Sequence, residues 1–234
     1  MPLPSLAPID AIVFDAYGTL FDVSSAAARW REALGTQADA ISATWRRKQL
    51  EYSWLRSLMG AHADFWQLTA AALDYACERH AIVDASLRQR LLETYREPSA
   101  YPEVPSMLRA IRGAGFKTAI LSNGAPSMLQ AAVEAADLAA EFDAILSVES
   151  VGVFKPHPSV YQLAVDRLGV AAGRILFRQL ERMGHCGRRP FRIPRGLDQS
   201  RGRAARAPAG GTRIRPWRSL GIAAAYWPQL RMEA

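Results

Sequence analysis

Apolar and polar positions change their period several times along the chain. "AIVFDAY" (Ala11–Tyr17) is a short apolar run that ends in a polar loop containing Gly18. Such a run predicts a buried strand of a parallel sheet. From about Ser24 to Arg96 the text is helical, rich in Ala, Leu, Arg and Glu, with few glycines or prolines. There Trp45, Leu50, Trp54, Leu55 and Leu58 keep roughly helical spacing, which predicts one apolar face. "PEVPSMLRAIRGAG" starts with prolines and ends with glycine, as a helix should. "KTAILSNG" predicts a second strand and turn, "PSMLQAAVEAADLAAEF" a helix, and "FDAILSVES" (Phe142–Ser150) a third strand. "HPSVYQLAVDRLGV" follows as a helix, and "RILF" begins a fourth strand.

Strands alternating with helices imply an α/β fold, a Rossmann-like doubly wound parallel sheet with right-handed crossovers. The helical block after the first strand reads as an inserted cap over residues 23–96. Residues 1–22 and 97–177 then form the core. Ligands of such sheets bind at the carboxyl ends of the strands. Asp15, Ser122–Asn123 and the loop carrying Lys155 are therefore expected in one crevice.

After "ILF" the apolar period stops. Residues 178–234 hold 13 of the 29 Lys and Arg but 3 of the 22 Asp and Glu, a net charge of +10. Residues 1–177 carry −3, so the chain's +7 belongs to this atypical tail. A nucleic-acid reading would rest on the tail alone, which lacks aromatics spaced to stack on bases. No apolar run approaches the roughly 20 residues of a membrane span. The start "MPLPSLAPIDAIVFD" shows no secretion signal. Cys77 and Cys186 lie far apart. A reducing, cytoplasmic setting is expected.

Asp15 ends an apolar strand, where a carboxylate is costly unless hydrogen-bonded or used. Gly18 allows a tight turn, and Thr19 can hold the carboxylate's angle. "ILSNG" places a hydroxyl and an amide at the end of the second strand, donors that suit an anion. Lys155 precedes prolines that fix its loop, and in a crevice it would keep an aspartate ionised. Each feature alone is also ordinary loop chemistry. The histidines His62, His80, His157 and His185 show no metal spacing and read as surface or loop.

Taken together, "FDAYGTLFD", "LSNG" and "FKPHPSVY" resemble the haloacid dehalogenase superfamily of aspartate-nucleophile hydrolases, from Ile9 to Phe177. "TWRRKQLEYSWLRSLMGAHADFWQLT" is similar to the bacterial (S)-2-haloacid dehalogenases, the type II enzymes. The resemblance implies that Asp15 attacks the halogen-bearing C2 and forms an ester, with Thr19 and Lys155 orienting its carboxylate. It assigns the substrate carboxylate to Ser122, Asn123 and backbone groups at Ala16 and Tyr17. Arg46 becomes the halide acceptor, while Tyr17, Leu50 and Phe65 form an apolar wall. Tyr161 faces either core or site. The implied ligand is a small 2-haloacid, with no cofactor and no metal, and two copies of the chain are expected to pair. Phosphatases of the superfamily carry a second aspartate where this chain has Tyr17. A magnesium-dependent phosphatase is therefore the weaker alternative, and nucleic-acid binding through the tail the other.

One departure is local. After "ILF" these dehalogenases continue with text like "VSSNGWD", which supplies a serine, an asparagine and an aspartate to the site. Here Arg178, Gln179, Leu180, Glu181, Arg182, Met183 and Gly184 stand instead. Codons permitted for this segment, read one base later, spell VSSNGWDTA. The tryptophan is forced, because ATG followed by any glycine codon yields TGG. The expectation is one extra base near codon 178, in the gene or in its reading.

Overall fold

The computed structural model describes residues 8–23, 29–96, 98–179 and 191–192. Most of the tail, including His185 and Cys186, lies outside the described residues, as does the expected helix start at Ser24. Strand β1 (Ala11–Phe14) is buried at all four positions. It pairs in parallel with β2 (Lys117–Ser122) on one side and β4 (Ile175–Arg178) on the other. β3 (Ala144–Ser147) pairs in parallel with β2. The order is β3-β2-β1-β4-β5, where β5 (Phe191–Arg192) adds two residues antiparallel to β4. The four-stranded parallel sheet is the one expected, and β5 is the departure from a purely parallel reading. β1 is buried on both faces, which is why its four residues before Asp15 are all apolar.

Between β1 and β2 lie one helical turn, α1 (Arg31–Leu34), and four helices: α2 (Ala38–Met59), α3 (Phe65–Arg79), α4 (Ala85–Thr94) and α5 (Val104–Gly113). After β2 come α6 (Pro126–Ala135) and α7 (Pro158–Leu168). Local signals set their ends. Asp64 caps α3 by accepting from the amides of Trp66 at 2.7 Å and Gln67 at 3.4 Å. Asp84 does the same for α4. Gly60 closes α2 in the left-handed conformation. Proline opens α5, α6 and α7 within their first two positions.

Two expectations need correction. The third strand stops at Ser147, because the Ser147 side chain accepts from the Glu149 amide and turns Val148–Ser150 into a 3-10 helix. The apolar face of α2 is not the predicted one. Its buried residues are Ala38, Ile41, Thr44, Trp45, Gln49 and Ser53, whereas Leu55 is 46% and Leu58 84% exposed. The α2 face against α3 accepts small and polar residues because hydrogen bonds run across it.

Two sets of contacts join the helical insert to the loop after β3. The Phe154 amide donates to Ser57 Oγ at 3.0 Å. Glu149 accepts from the Phe65 amide at 3.2 Å and pairs with His62 Nε2 at 2.7 Å. His62 lies in the loop between α2 and α3, as expected, and is a half-buried bridging residue, its ring 4.8 Å from that of Phe154.

Candidate active site

Asp15 follows β1 directly, and its amide donates to the Arg178 carbonyl at 2.9 Å, so the residue continues the sheet. Gly18 takes a φ of +86° and its amide donates to the Phe21 carbonyl at 2.7 Å, closing the turn beside the carboxylate. Asp15 is 4% exposed. Its Oδ1 accepts from Lys155 Nζ at 2.5 Å, and its Oδ2 from Thr19 Oγ1 at 3.5 Å, the outer limit of a hydrogen bond. Lys155 Nζ also donates to the Leu121 carbonyl at 3.2 Å and lies 5.5 Å from the Phe177 ring centroid. Three strands therefore supply the surroundings of one ion pair.

The lysine's own position is set by β2. Its amide donates to Asn123 Oδ1 at 3.0 Å. Ser122 Oγ accepts from the Gly124 amide at 3.1 Å. Gly124 has a steric task that the turn reading missed. A Cβ there would stand 2.7 Å from the Tyr17 ring and 3.2 Å from Leu129. The ring of Tyr17 lies where a side chain at 124 would be.

Tyr17 is 2% exposed, and its ring stacks on Tyr95 with centroids 5.8 Å apart. Its hydroxyl is buried with no hydrogen-bond partner among the described residues. Burial pushes the phenol far above its ordinary range; Tyr95 and Asp15 raise it further, and Arg46 opposes them. Tyr17 is therefore neutral.

A cavity of about 180 Å³ opens over the ion pair. That is small beside the roughly 300–1,000 Å³ of pockets for drug-sized ligands, and it suits a molecule of a few carbons. Asp15, Lys155, Ser122 and Asn123 border it from the sheet side. Arg46, Leu50 and Phe65 border it from the insert, joined by Tyr17 and Tyr161. All nine were expected at the site. Tyr161 is both core and site, since it is 7% exposed and meets Phe177 edge-on at 5.4 Å. Thr19 and the fully buried Ala16 stand behind the wall, the Ala16 carbonyl accepting the Thr19, Leu20 and Phe21 amides. Trp54, Pro156 and Gln179 also border the cavity and were not expected. Gln179 falls within the segment where the resemblance leads to a serine-containing loop.

Arg46 reaches across from α2. Its Nη1 donates to Gln49 Oε1 at 2.7 Å and its Nη2 to the Tyr17 carbonyl at 3.2 Å. An apolar-walled cavity thus has a carboxylate–lysine pair on its floor and a guanidinium opposite. Among the described residues, no group of three or more His, Cys, Asp or Glu side chains is placed to hold a metal ion.

A parallel sheet with a buried aspartate after its central strand, covered by a helical insert, defines a class of hydrolases. The family model of haloacid dehalogenase-like hydrolases matches residues 9–177. The chain belongs to that family, and within it the similarity runs to the (S)-2-haloacid dehalogenases. It is 48% identical over 171 residues to (S)-2-haloacid dehalogenase 1 of Pseudomonas sp. (strain CBS-3), covering 73% of this chain and 75% of that one. It is 48% identical over 168 residues to (S)-2-haloacid dehalogenase 4A of Burkholderia cepacia, covering 71% and 73%. A solved structure of the L-2-haloacid dehalogenase from Xanthobacter autotrophicus, with chloropropionic acid covalently bound, aligns with a TM-score of 0.67 at 46% identity. The alignment covers 72% of this chain and 69% of that one.

Proposed function

We propose that the protein hydrolyses short (S)-2-haloalkanoic acids to (R)-2-hydroxyalkanoic acids and halide. The observation that carries the reading is the Asp15–Lys155 pair under a small apolar cavity with Arg46 opposite. The substrate carboxylate binds at Ser122, Asn123 and the backbone following Asp15. A carboxylate oxygen of Asp15 attacks C2 from the face opposite the halogen. The new C–O bond forms as the C–halogen bond breaks, inverting the centre, and the halide leaves toward Arg46 with the bonding electron pair. Lys155 pairs with the Asp15 carboxylate and holds it for attack, and Leu50, Phe65 and Tyr17 exclude water from the carbon. Water then attacks the ester carbonyl and the acyl C–O bond breaks; one proton of that water goes to the departing alcohol oxygen and the other to solvent, so the hydroxy acid leaves with the Asp15 carboxylate restored. This divides one displacement into two easier steps.

The reaction needs no metal, because a carboxylate nucleophile and a guanidinium supply both charges. Chelator should leave the rate unchanged, and magnesium should not elicit phosphatase activity. Halide release from (S)-2-chloropropionate, with chiral analysis of the product, tests the reading. Failure to release even one equivalent of halide per chain in a single turnover would overturn it.

We infer further that the segment after Phe177 is the catalytic loop and last strand of this enzyme, read one base out of step. The family match ends at residue 177, one residue before the expected shift. With the printed tail, ester hydrolysis loses the loop's aspartate, so little steady turnover is expected, and restoring the frame should give normal turnover. Equal steady-state halide release by both chains would sink the inference. The cytoplasm fits the buried free thiol of Cys77, and among the described residues no helix is long and apolar enough to cross a membrane. A homodimer would cover the exposed Leu55, Leu58 and Met59 of α2. The expected division is a core of residues 1–22 and 97–177 and a cap of 23–96, to be tested by limited proteolysis at the junctions.

A further inference from the structure

We propose that Gln49 is a positioning residue for the leaving-group step. Its amide carbonyl fixes the plane of the Arg46 guanidinium and, being uncharged, itself adds no counter-charge beside the departing halide. This rests on the reading of Arg46 given above.

Gln49 is 0% exposed on α2, three residues after Arg46. Its Oε1 accepts two hydrogen bonds, from Arg46 Nη1 at 2.7 Å and from the Tyr95 hydroxyl at 3.0 Å. Its Nε2 donates to Thr69 Oγ1 at 2.6 Å. The Thr69 hydroxyl donates in turn to the Phe65 carbonyl at 2.8 Å, so it can only accept from Gln49. The amide therefore has one allowed orientation. Turned over, its NH₂ would face the Arg46 guanidinium, which can only donate, and its oxygen would meet a hydroxyl whose proton is committed. Helices α2 and α3 and the end of α4 thus lock a single acceptor. A buried polar network with its partners in place is rigid.

The guanidinium is planar, so two anchors on its terminal nitrogens define its plane. Gln49 holds Nη1, and the Tyr17 carbonyl holds Nη2. A glutamate at 49 would hold the same nitrogen more tightly. It would also neutralise the charge that must stabilise the halide, and it would lose the donation to Thr69. The amide is the group that orients without neutralising. Chloride is a poorer leaving group than bromide, so chloride departure depends more on that charge. A disturbed guanidinium should therefore slow the chloro substrate more than the bromo substrate. A change that merely loosened the fold would slow both alike.

The experiment follows the rate of Asp15 ester formation by mass spectrometry of the quenched full-length chain. It compares wild type, Gln49→Met and Gln49→Glu with saturating (S)-2-chloropropionate and (S)-2-bromopropionate. In Gln49→Met the limiting rate should fall about 10²-fold with the chloro acid, the loss expected of a roughly 1 Å misplacement. The bromo-to-chloro ratio should rise about tenfold, with little change in half-saturation. Gln49→Glu should raise the same ratio although its acceptor is kept. Tyr95→Phe retains the ring stacking and should raise it less, which covers the case that Gln49→Met fails to fold. An unchanged ratio in the folded variants, or an effect confined to half-saturation, overturns the proposal. Should the wild type form no ester with either acid, the dehalogenase reading fails instead. A crystal structure of a folded Gln49 variant then decides the positioning. Departure of Arg46 from the Tyr17 carbonyl supports it, and an undisturbed contact overturns it.

Discussion

Lys155 and Asp15 are each almost wholly buried, so each charge depends on the other. Lys155→Met should lower stability by about 3–5 kcal/mol, the cost of an uncompensated buried charge. Adding Asp15→Asn should recover much of that loss, with urea midpoints as the measurement. Asp15→Asn by itself leaves the Lys155 charge unpaired and should destabilise by a similar amount; in the folded fraction it should abolish ester formation, visible as no mass increase with substrate. Gly124→Ala makes a different prediction. Its new methyl meets the Tyr17 ring at 2.7 Å, so the ring must move, and since Tyr17 borders the cavity its shape must change. Half-saturation with 2-chloropropionate should rise several-fold or more, while a parallel Gly113→Ala, where nothing stands within 4 Å of the new methyl, should leave it unchanged. Asp15, Ser122, Asn123 and Lys155 were readable in the chain because each follows a short apolar run or stands beside prolines. Gln49 was not readable, because a glutamine at helical spacing carries no mark of burial. The only available signal was its place four residues after Trp45, on the face that α3 covers.

Asp143 ties β2 to β3. Its carboxylate accepts from the Thr118 amide at 2.7 Å and pairs with Arg112 at 3.1 Å. Burial raises its carboxyl, but the amide and the guanidinium outweigh it and hold the group below its ordinary value. A lowered folded value stabilises above the unfolded value and is lost as pH falls through the folded one. Asp143→Asn should therefore destabilise at neutral pH, and its difference from wild type should start to shrink below about pH 4 and vanish once the pH has fallen past the lowered folded value. Thermal melts at pH 7 and pH 3 would check this, and a gap that widens in acid would refute it. At α3, Asp64→Ala should cost about 1 kcal/mol through two freed amides. Because the helix begins with Phe65 at the cavity, half-saturation should rise as well. The α2 expectation failed for an elementary reason. Periodicity identifies a face but not the neighbour that covers it. Trp45 is buried and Leu58 is not, although both fit one stripe.

Across the whole molecule, the two readings beyond the fold are separately testable. The glutamate pair Leu58→Glu and Met59→Glu should shift a dimer to monomer in sedimentation equilibrium while leaving the melting temperature of the isolated chain nearly unchanged, since both residues are exposed at 84% and 69%. The intact mass of the purified protein, with the DNA read across codons 170–234, decides the frame. A mass equal to the printed chain and an uninterrupted reading frame would refute the shift.

By itself, the sequence determined the alternation of strands and helices, the aspartate at the end of the first strand, and the residues that meet it at the strand ends. Those follow from short-range rules, since a buried strand must be apolar and a ligand-binding group must stand just beyond it. Tertiary structure alone decided which face of α2 is covered, that Gly124 makes room for Tyr17, and that Gln49 holds Arg46. Each depends on atoms from separate elements arriving at one point, and no local pattern encodes that meeting.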